Sequence, residues 1–286
     1  MDNFKFIRKN RKESGEVLCI REKNGIPYLA YPLLEICSGY VHGFSTRLGG
    51  ASKGIYKSMN LSFTRGDEKE TVLENFTRIA SAIGFSVENI VCSDQTHTTN
   101  VRIVTECDRG NGITKEKRFY DTDGLVTNVP GVILATFYAD CVPLFFIDPI
   151  HRAVGLSHSG WRGTAGRIGE KTLQVMAEAF GTRPEDVVAA IGPSICADCY
   201  EVSQDVADVF TRAFEQAAGQ ILHSKENGKY QLDLWKANEL ILLHAGIAPA
   251  HLAVTDICTC CNPELLFSHR ASQGKRGNLG AFLGIS

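Results

Sequence analysis

The segment GLVTNVPGVILATFYADCVPLFFIDPIHRAVGLSHSG, residues 124–160, decides the fold class. It contains four short runs rich in Val, Ile, Leu and Phe, with turn signals between them. Runs of this length and composition are typical of β-strands. Because they are almost continuously apolar, the sheet that they form should be covered on both faces. We therefore predict an α/β protein with a mixed β-sheet core covered by helices.

Helical periodicity fills much of the remaining chain. Apolar residues recur at helical spacing in four segments, at 68–84, 162–180, 203–219 and 233–246. Ser203 and Asp233 stand where an N-cap is expected for the last two. No internal repeat or linker divides the 286 residues, so we expect one domain over 1–286, in which the strand segments of residues 1–40 are poorly constrained.

Composition excludes several classes of protein. The net charge of −2 and the absence of a basic block argue against nucleic acid or a membrane surface as a partner. No apolar run approaches the ~20 residues of a membrane helix, and no secretory leader is recognisable, so a cytoplasmic protein is expected. The polar stretch KNRKESGE at 9–16 is the one segment expected to be disordered.

Three residues at the ends of apolar runs are candidate metal ligands. Cys141 follows one strand-like run, His158 ends another, and His97 ends a third in SDQTHTTN. Two imidazoles and one thiolate suit zinc and leave one coordination position free, as in catalytic sites. From the pattern alone, Cys141 and His158 could equally be buried residues with satisfied hydrogen bonds.

Charged residues near these ligands suggest further roles. Asp140 lies in an apolar environment beside Cys141, where a carboxylate is costly unless paired or functional, so it is a candidate general base or orienting group. Arg162 in HSGWRG could clamp a phosphate or carboxylate. The pattern RLGGASKG, which begins at Arg47, favours a turn with solvated cations. Its glycines could alternatively let an anion approach the backbone.

Long motifs of the chain resemble those of the YfiH family, which is also called the laccase-domain or polyphenol oxidase family. They are GFSTRLGG at 43–50, QTH at 95–97, ADCVPLFFID at 139–148, HSGWRGTAGRI at 158–168, IGPSICADCYEV at 191–202, LFSHR at 266–270 and LGAFLGI at 279–285. The resemblance implies a YfiH-like single-domain fold, similar to cytotoxic necrotizing factor. It also implies that His97, Cys141 and His158 bind zinc and that Arg47 lines the active site.

The activity implied by the resemblance is that of a zinc-dependent purine nucleoside enzyme. Family members are described as phosphorylases of adenosine, inosine, guanosine and methylthioadenosine that also deaminate adenosine. Purine nucleosides and phosphate would then be the partners, with Arg47 and Arg162 near the phosphate. Zinc would lower the pKa of a bound water to about 7, which suits attack on a purine ring carbon.

Three alternatives stay open. A copper-binding polyphenol oxidase is one, since Cu²⁺ also binds such ligands, but laccases need paired His-x-His motifs and none of the eight histidines forms such a pair. A metal-free hydrolase with Cys141 as nucleophile and His158 as base, acting on peptidoglycan precursors, is another. The third is a metal-storage or partner-binding module without catalysis.

The other cysteines and histidines have weaker signals. The pairs Cys196-x2-Cys199 and Cys258-x-Cys260-Cys261 could hold a second metal, but this spacing favours loops with free thiols near the rim of the active site. His269, in LFSHR, is expected to support the site without binding metal.

Overall fold

The computed structural model of the protein describes residues 5–9 and 17–286. Most of the polar stretch predicted to be disordered, residues 10–16, lies outside the described residues. The strands are β1 Cys19–Lys23, β2 Ile26–Ala30, β3 Tyr40–Ser45, β4 Ile90–Cys92, β5 Val101–Ile103, β6 Gly124–Thr127, β7 Ile133–Tyr138, β8 Val142–Asp148, β9 Ala153–Ser159, β10 Val188–Ile191, β11 Glu201–Val202, β12 Leu222–Ser224, β13 Tyr230–Leu232, β14 Leu252–Val254 and β15 Leu279–Ile285. The α-helices are α1 Pro32–Glu35, α2 Lys69–Ile83, α3 Trp161–Ala165, α4 Ile168–Phe180, α5 Gln204–Phe214, α6 Leu234–His244 and α7 His269–Ser272.

The strands form two large mixed sheets and one small sheet. The first large sheet has the order β1-β2-β3-β15-β7-β4, and only its β4–β7 pair is parallel. The second has the order β14-β10-β8-β9-β6-β5, with parallel pairs at both edges. The small sheet, β11-β13-β12, is antiparallel.

The two large sheets pack face to face, and helices cover their outer faces. In β8, Phe145 and Ile147 belong to the core between the sheets, whereas Leu144 and Phe146 belong to the core under α4 and α6. Helix α2 covers the outer face of the first sheet, where Phe76 packs near Phe282 of β15. Every residue of β8 and β9 is buried, which confirms the predicted sheet core covered on both faces.

The helices agree with the sequence periodicity except where the backbone turns. The helix predicted at 162–180 is two helices, because Arg167 has a left-handed φ of 61° that ends α3 before α4 begins. Asp233 caps α6 by accepting from the backbone N–H of Lys236 at 2.9 Å. Ser203 precedes α5, but its hydroxyl bonds Asp205 instead of a backbone N–H, and the helix ends at Phe214, earlier than predicted.

None of the helices in the described ranges is both long and apolar enough to cross a membrane.

Candidate metal centre and cleft

The side chains of His97, Cys141 and His158 meet at one place. One ligand atom of each lies within 4.8 Å of the other two, and the two imidazole rings are 4.9 Å apart at their centroids. Two ring nitrogens and one sulfur at this separation could hold a single metal ion, and such a donor set is one that zinc accepts.

The fold brings these residues together from three segments. His158 lies in β9 and is paired in register with Pro143 of β8, so Cys141, just before β8, lies beside it. The turn into β8 depends on Asp140, whose φ of 93° is unusual for a residue other than glycine. His97 comes from the loop after β4 and has a φ of 67°.

A buried carboxylate, Asp123, organises the histidines. Its Oδ1 lies 2.7 Å from Nδ1 of His158, which leaves Nε2 of that ring for the metal. The same carboxylate accepts hydrogen bonds from the backbone N–H groups of Thr96 at 3.0 Å, His97 at 3.2 Å and Thr98 at 2.9 Å. Asp123 therefore holds one ligand directly and the loop of another.

The charges of the centre shift its pKa values. Burial by itself would lower the pKa of His158, but the neighbouring Cys141 and the hydrogen bond with Asp123 outweigh it and raise the pKa to about 9. Burial favours a higher pKa for Asp123, yet the hydrogen bond from His158 brings it below the usual value. The pKa of His97 is lowered. The main cause is the partial burial of its ring, and the proximity of His158 adds to the effect.

The lack of a side chain at Gly160 leaves room for His97 and Cys141. A Cβ atom there would lie 2.6 Å from Nδ1 of His97 and 3.3 Å from Sγ of Cys141. The first distance is shorter than a carbon–nitrogen contact allows, so any side chain would displace His97. Glycine is thus required at position 160 because the side chains of two candidate ligands approach its backbone.

The centre opens into a cleft of about 320 Å³. Its walls include the aromatic side chains of Phe63 and Phe137 and three cationic residues, Arg65, Lys117 and Arg276. Lys117 is paired with Asp94. The cleft therefore combines a candidate metal site, aromatic surface and positive charge.

Arg276 is the most unusual cation of the cleft. Only 9% of it is exposed, and its Nε has no hydrogen-bond partner among the described residues. Its Nη1 donates to the Gly277 carbonyl at 3.3 Å and to the Asn278 side chain. Burial, followed by the charge of nearby Arg65, lowers the pKa of Arg276 to about 10. The buried guanidinium of Arg276 and the exposed one of Arg65, which line the same cleft, form a site that favours an anion.

The comparison with known proteins identifies the family. A family model described as multi-copper polyphenol oxidoreductase laccase matches residues 41–286. The chain belongs to this family.

Family members with names and solved structures cover most of the chain. The purine nucleoside phosphorylase YlmD of Bacillus subtilis (strain 168) is 39% identical over 246 residues, which are 86% of this chain and 88% of the relative. The adenosine deaminase RL5 of an unknown prokaryotic organism is 32% identical over 80% of this chain and 88% of the relative. The crystal structure of the hypothetical protein YfiH from Bacillus licheniformis superposes with a TM-score of 0.88 at 32% identity, covering 93% of this chain and 99% of that one. These matches confirm the resemblance to the YfiH family and the mixed α/β fold.

The arginine predicted to line the site of this family member is engaged elsewhere. Arg47 donates from Nε and Nη2 to the Lys57 carbonyl at 2.9 and 2.7 Å and from Nη1 to the Pro263 carbonyl at 2.6 Å. Its guanidinium also stacks on Phe267, 4.6 Å from the ring centroid. These contacts make Arg47 a brace between two loops, and its role in binding an anion stays a prediction.

The other predicted residues lie at the rim or behind the ligands. Arg162 is exposed and stacks on Trp161 at 4.3 Å, close enough to contribute to the lowered pKa of His97. Asp140 is buried, and its oxygens accept from the Thr259 hydroxyl and the backbone N–H of Arg270, both at 2.7 Å. The carboxylate that forms a hydrogen bond with the candidate ligand His158 is Asp123, and His269 is exposed near Arg276.

Sequence reasoning missed Asp123, Arg65 and Arg276. Asp123 had a signal, since it immediately precedes a buried strand, as Cys141 does. Arg276 had only its place in a basic, Gly-rich segment, and its burial depends on contacts with distant parts of the chain. Four of the cysteines outside the triad, Cys196, Cys199, Cys258 and Cys261, also cluster, an arrangement that the sequence spacing allowed but did not favour.

Proposed function

We propose that this protein is a zinc-dependent purine nucleoside enzyme that cleaves nucleosides with phosphate and also deaminates adenosine. The observation that carries the proposal is the opening of the His97–Cys141–His158 triad onto a cleft with two adjacent guanidinium groups. A phosphorolytic enzyme needs both a polar centre near the nucleoside and a bound phosphate. The names of the relatives support the same class of substrate.

The donor set favours zinc as the metal. Two imidazoles and a thiolate from rigid strand ends, with one position free, are typical of catalytic zinc sites. A zinc ion bound there would supply a Lewis acid toward the purine substrate. Asp123 would keep His158 in the tautomer whose Nε2 binds metal, because its carboxylate occupies Nδ1.

Arg276 and Arg65 are the proposed phosphate ligands. Both line the cleft, and the buried Nε of Arg276 has no partner among the described residues. A phosphate dianion would satisfy that donor and relieve the repulsion between the two cations. Arg162, at the rim, could contact the substrate from the other side of His97.

The aromatic side chains of the cleft suit a nucleoside. Phe63 and Phe137 offer flat apolar surface beside the polar lining of Ser62, Thr64 and Asn278. Stacking on such rings is worth about 1–3 kcal/mol per base in nucleic-acid complexes. We propose that the purine lies against these rings with its ribose toward the arginines.

Asp140 is best assigned a positioning role. Both of its oxygens accept hydrogen bonds of 2.7 Å within the protein, from the Thr259 hydroxyl and the Arg270 backbone N–H, and these bonds hold the carboxylate in the turn. By fixing the turn before Cys141, it would hold the thiolate in place. This assignment replaces the general-base role expected from its position in the ADC motif.

The multi-copper activity in the family description has less support from the site. The two groups of side chains able to hold a metal within the described ranges are the His97–Cys141–His158 triad and a set of four cysteines. A laccase cluster needs several more histidines around adjacent copper ions. Metal analysis of protein purified without added copper tests whether the triad binds a single copper ion instead of zinc.

The decisive experiment offers adenosine, inosine, guanosine and methylthioadenosine to the purified protein, with and without phosphate, and separates the products by chromatography. We expect phosphate-dependent release of free base and phosphate-independent conversion of adenosine to inosine. No product from any nucleoside, with metal bound, would contradict the proposal.

Two cysteine variants control the assignment of the metal. Cys141→Ser should lose both activities and the metal of the triad, whereas Cys37→Ser, also half-buried but remote, should keep them. Activity that survives complete removal of metal but is lost in Cys141→Ser would instead support the cysteine hydrolase.

A further inference from the structure

Four cysteines outside the catalytic centre form a second cluster. The sulfur atoms of Cys196, Cys199, Cys258 and Cys261 all lie within 4.8 Å of one another, and none is in a disulfide. We call these residues the four-cysteine cluster. The segment CTCC at 258–261 therefore contributes its first and last cysteines as a Cys-x2-Cys pair, which matches Cys196-x2-Cys199.

The separations fit one tetrahedral ion. Four sulfurs at about 2.3 Å from a central zinc stand about 3.8 Å from one another. The Cys199 and Cys261 sulfurs are 3.5 Å apart, and 4.8 Å is the upper limit for the whole set. A disulfide would need about 2.05 Å between two sulfurs, so these thiols are spaced for coordination.

A backbone donor points at one of the sulfurs. The N–H of Cys196 donates to Sγ of Cys258 at 3.2 Å and so links the two Cys-x2-Cys pairs. A donor of this kind stabilises negative charge on the sulfur that accepts from it.

The loops that carry the pairs are held together independently of any metal. Ser194 forms a β-bridge with Cys258, and the Thr259 N–H donates to the Ser194 carbonyl at 3.1 Å. Arg270 donates to the Cys199 carbonyl at 3.1 Å. Lys9, which pairs with Asp198 inside the first Cys-x2-Cys, brings positive charge beside the cluster. A pre-arranged set of thiols loses less conformational entropy when it binds an ion.

We propose that the four-cysteine cluster binds one zinc ion as a closed, structural site, distinct from the catalytic triad. Four protein sulfurs leave no position for a substrate, and tetrahedral sulfur sites select zinc or iron among common metals. Sulfurs this close to one another suit a single ion. The proposal does not depend on which substrate the enzyme uses.

The site would anchor the turn that carries Asp140 and Cys141. Thr259 lies between the cysteines of the second pair, and its hydroxyl donates to Asp140 at 2.7 Å, next to the ligand Cys141. Arg270, which holds the Cys199 loop, also donates its backbone N–H to Asp140. Metal bound by the cluster would therefore fix the segment that positions the thiolate of the triad.

Metal counting on the full chain tests the proposal. We expect about two zinc ions per chain in the wild type, and about one in Cys141→Ser, which removes a ligand of the triad only. X-ray absorption at the zinc edge of Cys141→Ser should show four sulfur neighbours at about 2.3 Å and no nitrogen. Because this variant leaves the four-cysteine cluster intact, the measurement does not depend on whether cluster variants fold.

Variants of the cluster separate ligands from bystanders. Cys199→Ser should lower the zinc content by one ion per chain and weaken zinc retention at the triad, while Cys260→Ser, half-buried in the same loop but outside the cluster, should keep both ions. Four freely titrating thiols with no bound metal in Cys141→Ser, a disulfide among the four cysteines, or iron in place of zinc would overturn the proposal. If the wild-type protein binds two zinc ions but converts no nucleoside, the proposed function is contradicted and the zinc site of the four-cysteine cluster is not.

Discussion

Oδ1 of Asp123 lies 2.7 Å from Nδ1 of His158, and the same carboxylate receives the backbone N–H of His97 at 3.2 Å. One buried side chain thus determines the positions of two of the three candidate ligands. Because the charge of Asp123 lies behind the candidate metal site, it would increase the basicity of the His158 imidazole toward a bound metal.

Asp123→Asn should weaken zinc binding at the triad by about 10- to 100-fold, because the neutral amide loses the charge that holds His158 and cannot accept all of the same bonds. Competition with a chelator measures the change. Asp121→Asn is the matched control, since Asp121 is an exposed neighbour whose left-handed φ of 53° asparagine tolerates. Equal zinc affinity in the two variants would show that Asp123 is only a structural residue.

Gly160→Ala should abolish metal binding at the triad while leaving the protein folded. The added Cβ would meet Nδ1 of His97 at 2.6 Å, and the exposed His97 side chain can turn away from it without disturbing the core. Gly163→Ala, one helical turn further, meets nothing closer than 3.4 Å and should bind metal normally. Metal content together with circular dichroism checks both, and normal metal content in Gly160→Ala would refute the packing argument.

Arg276→Gln and Arg65→Gln should each raise the KM for phosphate by about 10-fold or more, since a hydrogen bond to a charged group contributes about 1.5–3 kcal/mol. Deamination of adenosine, which uses no phosphate, should change less. Arg47→Gln should leave the KM for phosphate unchanged and lower the melting temperature, because its guanidinium braces two carbonyls. Steady-state kinetics with varied phosphate distinguish these outcomes, and a raised KM in Arg47→Gln alone would restore the original assignment.

His42 should make the stability depend on pH. It is buried and its Nε2 accepts from the Tyr31 N–H at 2.8 Å, and burial lowers its pKa from 6.5 to about 4. As the pH falls, His42 is therefore protonated in the unfolded chain before it is protonated in the folded protein. Its contribution to the free energy of unfolding is complete above pH 6.5 and is lost between pH 6.5 and pH 4. The loss amounts to about 3 kcal/mol, from 1.36 kcal/mol per pKa unit.

Urea unfolding between pH 7 and pH 4 measures this effect. The free energy of unfolding of His42→Gln should fall less steeply over that range than that of the wild type. His223→Gln, at an exposed position, should follow the wild-type slope. Parallel slopes for all three proteins would show that His42 is not the titrating group.

The parts of the fold that the sequence predicted are those set by local periodicity. The helical spacing of 68–84 gave α2, and the apolar runs of 124–160 gave the central strands, because burial on one or two faces imposes a repeat on neighbouring residues. The triad could be proposed because its members end such runs and match long family motifs. The structure then brings all three within reach of one ion.

The sequence by itself determined the class of fold, the family and the three candidate ligands. Tertiary structure alone decided that Asp123 and not Asp140 supports His158, that Arg276 and not Arg47 faces the cleft, and that Cys258 pairs with Cys261. The physical reason is that local spacing sets the direction of a side chain within its own element. Its hydrogen-bond partner, its burial and its charged neighbours come from segments tens to hundreds of residues away, as with Thr259 and Asp140, 119 residues apart.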